Sequence, residues 1–282
     1  MSFNETKQHG TEDFPIELYH LDRNHPKYEM NFHWHSAIEI IHVHTGKLSL
    51  LLNGESVIMS AGDTVFVNSE TVHGGTPDNC VYDCIVFHPE GFEQSDPAIK
   101  EFTESLLNKA VLIKEHICKA DCPEVENAVC ELIKELTELK DGYKFAVLSI
   151  LYRIYMLVLR KKLIYHNLII APKRNMEKLK IILSFIRENY NLPLSLEEIS
   201  SKVGMSPKYF CRFFKQHTDK TPFEYITAYR IERAARKLIS SGQSITQISL
   251  ACGFTDSSYF TKRFRKQIGL TPREFRKNNL KT

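Results

Sequence analysis

The stretch GFTDSSYFTKRFRKQIGLTPREF, Gly253–Phe275, repeats the order of GMSPKYFCRFFKQHTDKTPFEY, Gly204–Tyr225. In both, a glycine leads to Tyr-Phe, then to a basic and aromatic cluster, then to Thr-Pro. Each copy reads as two short helices about a turn. In the first, Leu196, Ile199 and Val203 stand at i, i+3 and i+7, and Gly204 stops the helix. Ser206 is placed to cap the next helix, with Pro207 at its first position. In the second copy Ile245, Ile248 and Cys252 take the same spacing, Gly253 ends the helix and Asp256 caps the next. The pattern is that of a helix-turn-helix written twice.

The helix after each turn separates its faces. Phe210, Phe213 and Phe214 form one stripe in the first copy, matched by Phe260 and Phe264 in the second, and these are core positions. The opposite stripe is Lys208, Cys211, Arg212 and Lys215, with Ser258, Thr261, Lys262 and Arg265 as its counterpart. Cationic and hydrogen-bonding groups on a helix whose back is phenylalanine fit a DNA major groove. PFEYITAYRIERAARKLIS, Pro222–Ser240, reads as one continuous helix between the copies. At ~1.5 Å per residue it spans roughly 28 Å, which with the width of the units approaches the ~34 Å between successive major-groove turns.

Charge separates the chain into halves. Of 37 Lys and Arg and 34 Asp and Glu, 22 and 9 lie from Pro172 onward, leaving 15 and 25 before it. The net charge of +3 therefore hides an acidic first half and a strongly basic second half, of which only the second suits a polyanion. Hydrophobic content of 43% and charged content of 25% fit a globular protein. The opening MSFNETKQHGTEDFP lacks the apolar core of a secretory signal. YKFAVLSILYRIYMLVL, Tyr143–Leu159, carries Lys144, Ser149 and Arg153 and reads as a packed helix, not a membrane span. Seven cysteines without a signal imply reduced thiols and a cytoplasmic setting. Cys80/Cys84 and Cys118/Cys122 have C-x3-C spacing, which is not that of a zinc knuckle.

The segment from about Asn175 to the end resembles the DNA-binding domain of the AraC/XylS family of transcription regulators. The residues carrying this are Ile199, Gly204, Tyr209-Phe210, Phe214-Lys215, Thr221-Pro222, Tyr229-Arg230, Ala234 and Leu238. In the second copy they are Ile245, Ile248, Ala251, Gly253-Phe254, Tyr259-Phe260, Phe264-Arg265 and Thr271-Pro272. The resemblance implies seven helices, with two recognition helices in adjacent major grooves. It places base-facing residues at Lys208, Cys211 and Arg212, then at Ser257, Ser258, Thr261 and Lys262. Cys211 is a weak hydrogen-bonder where the family often has a polar residue.

In the acidic half, Asn31–Gly75 alternates apolar and polar residues between Asn-Gly and Ala-Gly-Asp turns, as antiparallel strands joined by hairpins do. Its H-x-H-x3-E-x6-G spacing and the stretch GDTVFVNSETVH resemble the two motifs of a cupin barrel, with Asn68 where proline is usual. The resemblance gathers His33, His35, Glu39 and His73. Strand parity turns His33, His35 and Glu39 inward with Ile41 and Val43, while His42 and His44 face out unless a bulge intervenes. These four are read as the pocket of a small polar effector, a sugar being one such molecule. Ligand types alone assign no metal.

Val125, Val129, Leu132, Ile133, Leu136 and Leu139 make an apolar stripe, followed by the helix Lys144–Tyr165. In this architecture such helices pair two subunits, so a homodimer is expected. The expectation is an α+β chain of two domains. Residues 1–166 form a cupin-like sensing and dimerisation domain, 167–175 a linker, and 176–282 an all-α domain with two helix-turn-helix units on a long helix. The function expected is that of a regulator, as an activator, binding operator DNA, an effector and RNA polymerase. No catalytic residue, cofactor or membrane contact is expected. Two alternatives stand beside it: a metal-dependent cupin enzyme tethered to DNA, and a regulator that ignores ligands.

Overall fold

A computed structural model describes residues 9–11, 13–92, 96–166 and 174–279. The chain divides into two compact units. One comprises residues up to Asp22 together with Trp34 to the end of the acidic half; the other comprises Arg23–His33 and the basic half.

The first unit is antiparallel sheet followed by helices. Its strands are β1 (Ile16–Leu21), β3 (Ile38–Leu52), β4 (Glu55–Ser60), β5 (Thr64–Val67), β6 (His73–Phe87) and β8 (His116–Ile117). They pair in the order β1–β6–β3–β5–β8, with β4 against the far half of β3. The expected barrel is thus an antiparallel sheet whose hydrogen-bonded path ends at β1 and β8. Two strands are also longer than the short ones expected: β3 and β6 each run 15 residues. Register shifts bend β3 between Val43 and Thr45 and again between Thr45 and Lys47, which lets so long a pair curve. β7 (Val111–Ile113) and β9 (Ile164–His166) form a separate pair beside α1 (Pro97–Leu107).

One face of the sheet is covered by α2 (Pro123–Glu138) and α3 (Tyr143–Arg160). Ile16, Ile38, Ile40, Phe66, Ile85 and Phe87 pack there against Val125, Val129 and Leu132 of α2 and Leu151, Ile154 and Val158 of α3. Each such side chain contributes on the order of 1.5–3 kcal/mol by leaving water. The α2 stripe expected to pair subunits is therefore largely spent on this core, and Leu139 falls outside the helix as its left-handed cap. Among the described residues no helix is long and apolar enough to cross a membrane.

Among the described residues the second unit holds seven helices: α4 (Arg174–Asn189), α5 (Leu196–Ser201), α6 (Pro207–Thr218), α7 (Pro222–Ser240), α8 (Ile245–Ala251), α9 (Ser257–Ile268) and α10 (Pro272–Asn279). Most of the expected linker lies outside the described residues, but Arg174 and Asn175 already belong to α4. Helices α5 and α8 end earlier than their apolar spacing suggests, leaving Val203 and Cys252 in the turns, still buried. The unit also contains β2 (Met30–His33), which packs on α4 and α7. That strand lies within the stretch expected to be sensor domain.

Candidate functional site

The two helix-turn-helix units are built on one plan. Ser206 caps α6 by accepting from the Tyr209 amide, and Asp256 caps α9 by accepting from the Ser258 and Tyr259 amides at 2.7 and 2.9 Å. The turns before them need glycine: Gly204 and Gly253 have φ of +63° and +83°. At Gly253 a Cβ would also meet the Tyr190 carbonyl oxygen at 2.9 Å. Phe210, Phe213, Phe214, Phe260 and Phe264 are all buried. After each unit a Thr-Pro-x-Glu box opens the next helix: Thr221 with Glu224, and Thr271 with Glu274, exchange the same three hydrogen bonds.

This frame turns one polar stripe per unit to solvent. On α6, Lys208, Arg212 and Lys215 are exposed and Cys211 is half-buried. On α9, Ser257, Ser258, Lys262 and Arg265 are exposed and Thr261 is half-buried. Thr261 donates its hydroxyl proton to the Ser257 carbonyl at 2.9 Å, so toward a base edge it presents lone pairs and acts as an acceptor. An open groove is lined by Ser257, Ser258, Thr261, Lys262, Arg265, Lys266 and Thr271. The Arg212 guanidinium lies 6.0 Å from the Tyr209 ring centre, which steadies it without hiding it.

Several residues that the sequence did not single out hold this surface. Arg230 donates to the Tyr190 and Leu192 carbonyls at 2.6 and 2.8 Å, fastening the end of α4 to α7. Arg276 does the same for the Leu238 and Gln243 carbonyls at 3.2 and 2.7 Å. The segment Arg23–His33 is tied to α7 and the turn before it by three polar contacts. Tyr225 Oη donates to the Phe32 carbonyl at 2.6 Å, Asn31 Nδ2 donates to Glu232 Oε2 at 3.1 Å, and Lys220 pairs with Glu29 at 2.7 Å.

The second group of candidate residues is in the sheet unit. His35, Glu39 and His73 are brought together and buried. Both imidazole Nε2 atoms lie 3.1 Å from the same Glu39 oxygen. Their Nδ1 atoms face the Ala37 and Thr71 carbonyls, which can only accept, so each Nδ1 carries a proton. A doubly protonated ring then donates to Glu39. A neutral one offers a lone pair, and the three groups converge on a cation or on the donors of a ligand. Burial alone would raise the Glu39 carboxyl, but hydrogen bonds and charge from His35 and His73 hold it well below the usual carboxylate range. Two histidines and a carboxylate are also a donor set suited to a divalent ion. His33, the fourth candidate, belongs to the other unit, where its Nδ1 faces the Asn31 carbonyl at 2.8 Å.

His9 was missed. It is buried with its ring 6.2 Å from that of His35, its Nδ1 lies 3.1 Å from the Tyr19 hydroxyl and 3.4 Å from Glu17, and its Nε2 has no hydrogen-bond partner among the described residues. No spacing links it to the other histidines. His42 stands off the pocket face, as parity predicts, yet it is buried because α2 covers that side.

Known proteins match both parts of the chain. Residues 15–153 match the AraC-like ligand binding domain and residues 199–278 match a helix-turn-helix domain. The uncharacterized HTH-type transcriptional regulator YdeC of Bacillus subtilis (strain 168) is 23% identical, over 99% of this chain and 97% of its own. The HTH-type transcriptional activator RhaS of Escherichia fergusonii is 24% identical, over 96% of this chain and 97% of its own. A solved AraC-type transcriptional regulator from Chromobacterium violaceum is 36% identical, covering 36% of this chain and 92% of its own, with a TM-score of 0.35.

Proposed function

Because the chain belongs to the AraC family of transcription regulators, with a ligand-binding domain followed by a DNA-binding helix-turn-helix domain, we propose that it is a cytoplasmic activator that grips operator DNA with α6 and α9. The observation that carries this reading is the pair of exposed polar stripes, Lys208/Cys211/Arg212/Lys215 and Ser257/Ser258/Thr261/Lys262/Arg265, each backed by buried phenylalanine. The activator role follows the name of the RhaS relatives, and RNA polymerase is then the partner on DNA. A homodimer joined through the helical layer of the sensor unit fits Phe145 of α3, whose side chain stays 81% exposed.

The effector binds at His35, Glu39, His73 and His9. With its Nδ1 proton directed to Glu17 and Tyr19, His9 keeps a lone pair on Nε2 for a hydroxyl donor. A buried carboxylate and the His9 Nε2, both able to accept hydroxyl protons, favour a small polyol or sugar. Effector binding changes the affinity of the recognition helices by a coupling that is typically ~1–3 kcal/mol.

The test is operator selection from random duplexes with the full chain, followed by titration of the selected DNA against sugars and other metabolites. The reading expects a long site, a thermal shift with at least one polyol, and loss of that shift in His35→Ala. Unchanged effector binding across the His9, His35, Glu39 and His73 alanine variants would overturn the pocket. A second reading makes His35, Glu39 and His73 a metal centre; stoichiometric metal lost in His73→Ala would favour it.

A further inference from the structure

The helix-covered face of the sheet ends in a row of polar side chains. His20 on β1 stands opposite Asp83 on β6, Asp83 opposite His42 on β3, and His42 opposite Thr64 on β5. Further along the same face of β6 and β3 the positions are Ile85, Phe87, Ile40 and Ile38, all core. An aliphatic residue at position 83 would simply extend that core. Instead the chain buries a carboxylate that is 2% exposed and surrounds it with imidazoles. A buried charge with partners is generally no more stabilising than an apolar group of similar volume, so the fold does not call for it.

The geometry around Asp83 is convergent. Its Oδ1 lies 2.7 Å from His20 Nδ1 and its Oδ2 lies 2.8 Å from His44 Nε2. The donor atoms of the three residues all fall within 4.8 Å of one another. His42 packs its ring 5.0 Å from that of His44 and faces Cys130 Sγ at 3.7 Å. Two neighbouring groups of similar composition are already engaged. Glu126, beside Cys130, pairs with Lys119 at 3.0 Å. Asp63, beside His116 and Cys118, accepts from the Ser60 and Lys119 amides. At Asp83, by contrast, both carboxylate oxygens point at imidazole nitrogens.

We propose that His20, His44 and Asp83 form a site for a borderline divalent transition ion, of the chemistry of Zn2+ or Co2+, at the margin of the helix-covered face. Two imidazole nitrogens and a carboxylate oxygen are the donors such ions take, at ~2.0–2.2 Å. The ion takes the place of the hydrogen bonds that the two rings make to Asp83, each ring binding through the nitrogen that faces the carboxylate and keeping its proton on the other. The His20 side chain is 62% exposed, which gives the ion a path in and leaves a coordination position open to water. The site is separate from the His35–Glu39–His73 group, because Glu39 and His42 differ in parity along β3 and face opposite sides of the sheet. Its occupancy ties β1 and β3 together through β6, two residues before the chain passes at Asp22 into the segment packed on the DNA-binding unit.

The test uses the full chain stripped of metal, titrated with Co2+ and followed by its visible absorption, then with Zn2+ in competition with a chromophoric chelator. His20→Ala changes a mostly exposed residue and keeps the fold; His44→Ala is the second ligand variant. His73→Ala and Cys130→Ser are the controls. The expected result is one equivalent bound with imidazole and carboxylate spectra, weakened at least ~10-fold in His20→Ala and in His44→Ala and retained in both controls. Absence of binding by the wild type at micromolar ion would overturn the site. So would wild-type affinity in His20→Ala and His44→Ala, or loss of the ion in His73→Ala alone.

Discussion

The first helix-turn-helix unit and the second share a skeleton and differ in what they show. Caps, turn glycines, buried phenylalanines and Thr-Pro-x-Glu boxes recur in both. The exposed faces do not match: Lys208, Arg212 and Lys215 in the first carry three cations and a thiol neighbour, whereas the second adds Ser257, Ser258 and Thr261 to its two cations. Guanidinium and ammonium groups serve phosphates and guanine, while hydroxyls serve several base edges. A repeat that keeps its scaffold and changes its face suits an asymmetric DNA site, one half held mainly by charge and the other by hydrogen bonds.

That comparison can be broken at the scaffold first. Phe214→Ala and Phe264→Ala each remove a fully buried ring and should cost about 3–5 kcal/mol in denaturant unfolding. Similar losses at both positions would support a common skeleton; a loss at one alone would end the claim of equivalence. On the reading face the effect is smaller and divides the units. Arg212→Ala should weaken operator binding by about 1–3 kcal/mol if it reaches a base edge, and Lys208→Ala should lower the salt slope by ~1 with little change in sequence preference. Thr261→Val should relax sequence preference and leave the salt slope alone. Fluorescence anisotropy over a salt series separates these outcomes, and identical profiles for Lys208→Ala and Thr261→Val would remove the distinction.

The smallest test is a single atom. TPFEY in the first unit and TPREF in the second place Tyr225 and Phe275 at the same point, and both are buried. Only Tyr225 has a hydroxyl, which it donates to the Phe32 carbonyl. Tyr225→Phe makes the first unit like the second and should cost about 0.5–1.5 kcal/mol of stability, read as a shift in urea midpoint. No shift would mean that the segment 23–33 is held by its other contacts.

The DNA-binding half was open to sequence reading because its determinants are local. Capping residues, i/i+3/i+4 stripes and turn glycines act within a few positions, so the long helix Pro222–Ser240 and the α6 and α9 faces could be read with their limits. The sensor half was less legible because its contacts are far apart in the chain. His20 and Asp83 are 63 positions apart and meet only through strand register, and His9 reaches the pocket with no motif to mark it. The docking of Arg23–His33 was hidden for another reason: its ties run through the Phe32 backbone carbonyl and through Glu29 and Asn31, which show no periodicity.

The position of that segment between β1 and β3 constrains anyone who dissects the protein. The polypeptide enters the DNA-binding unit twice, so a cut anywhere in 167–173 yields a fragment that lacks one of its own strands. Such a fragment leaves Tyr225 and Glu232 without their partners on that strand. A chimera that exchanges only the region after the cut would carry over a reading head without its native brace. A faithful transplant must move residues 23–33 with it.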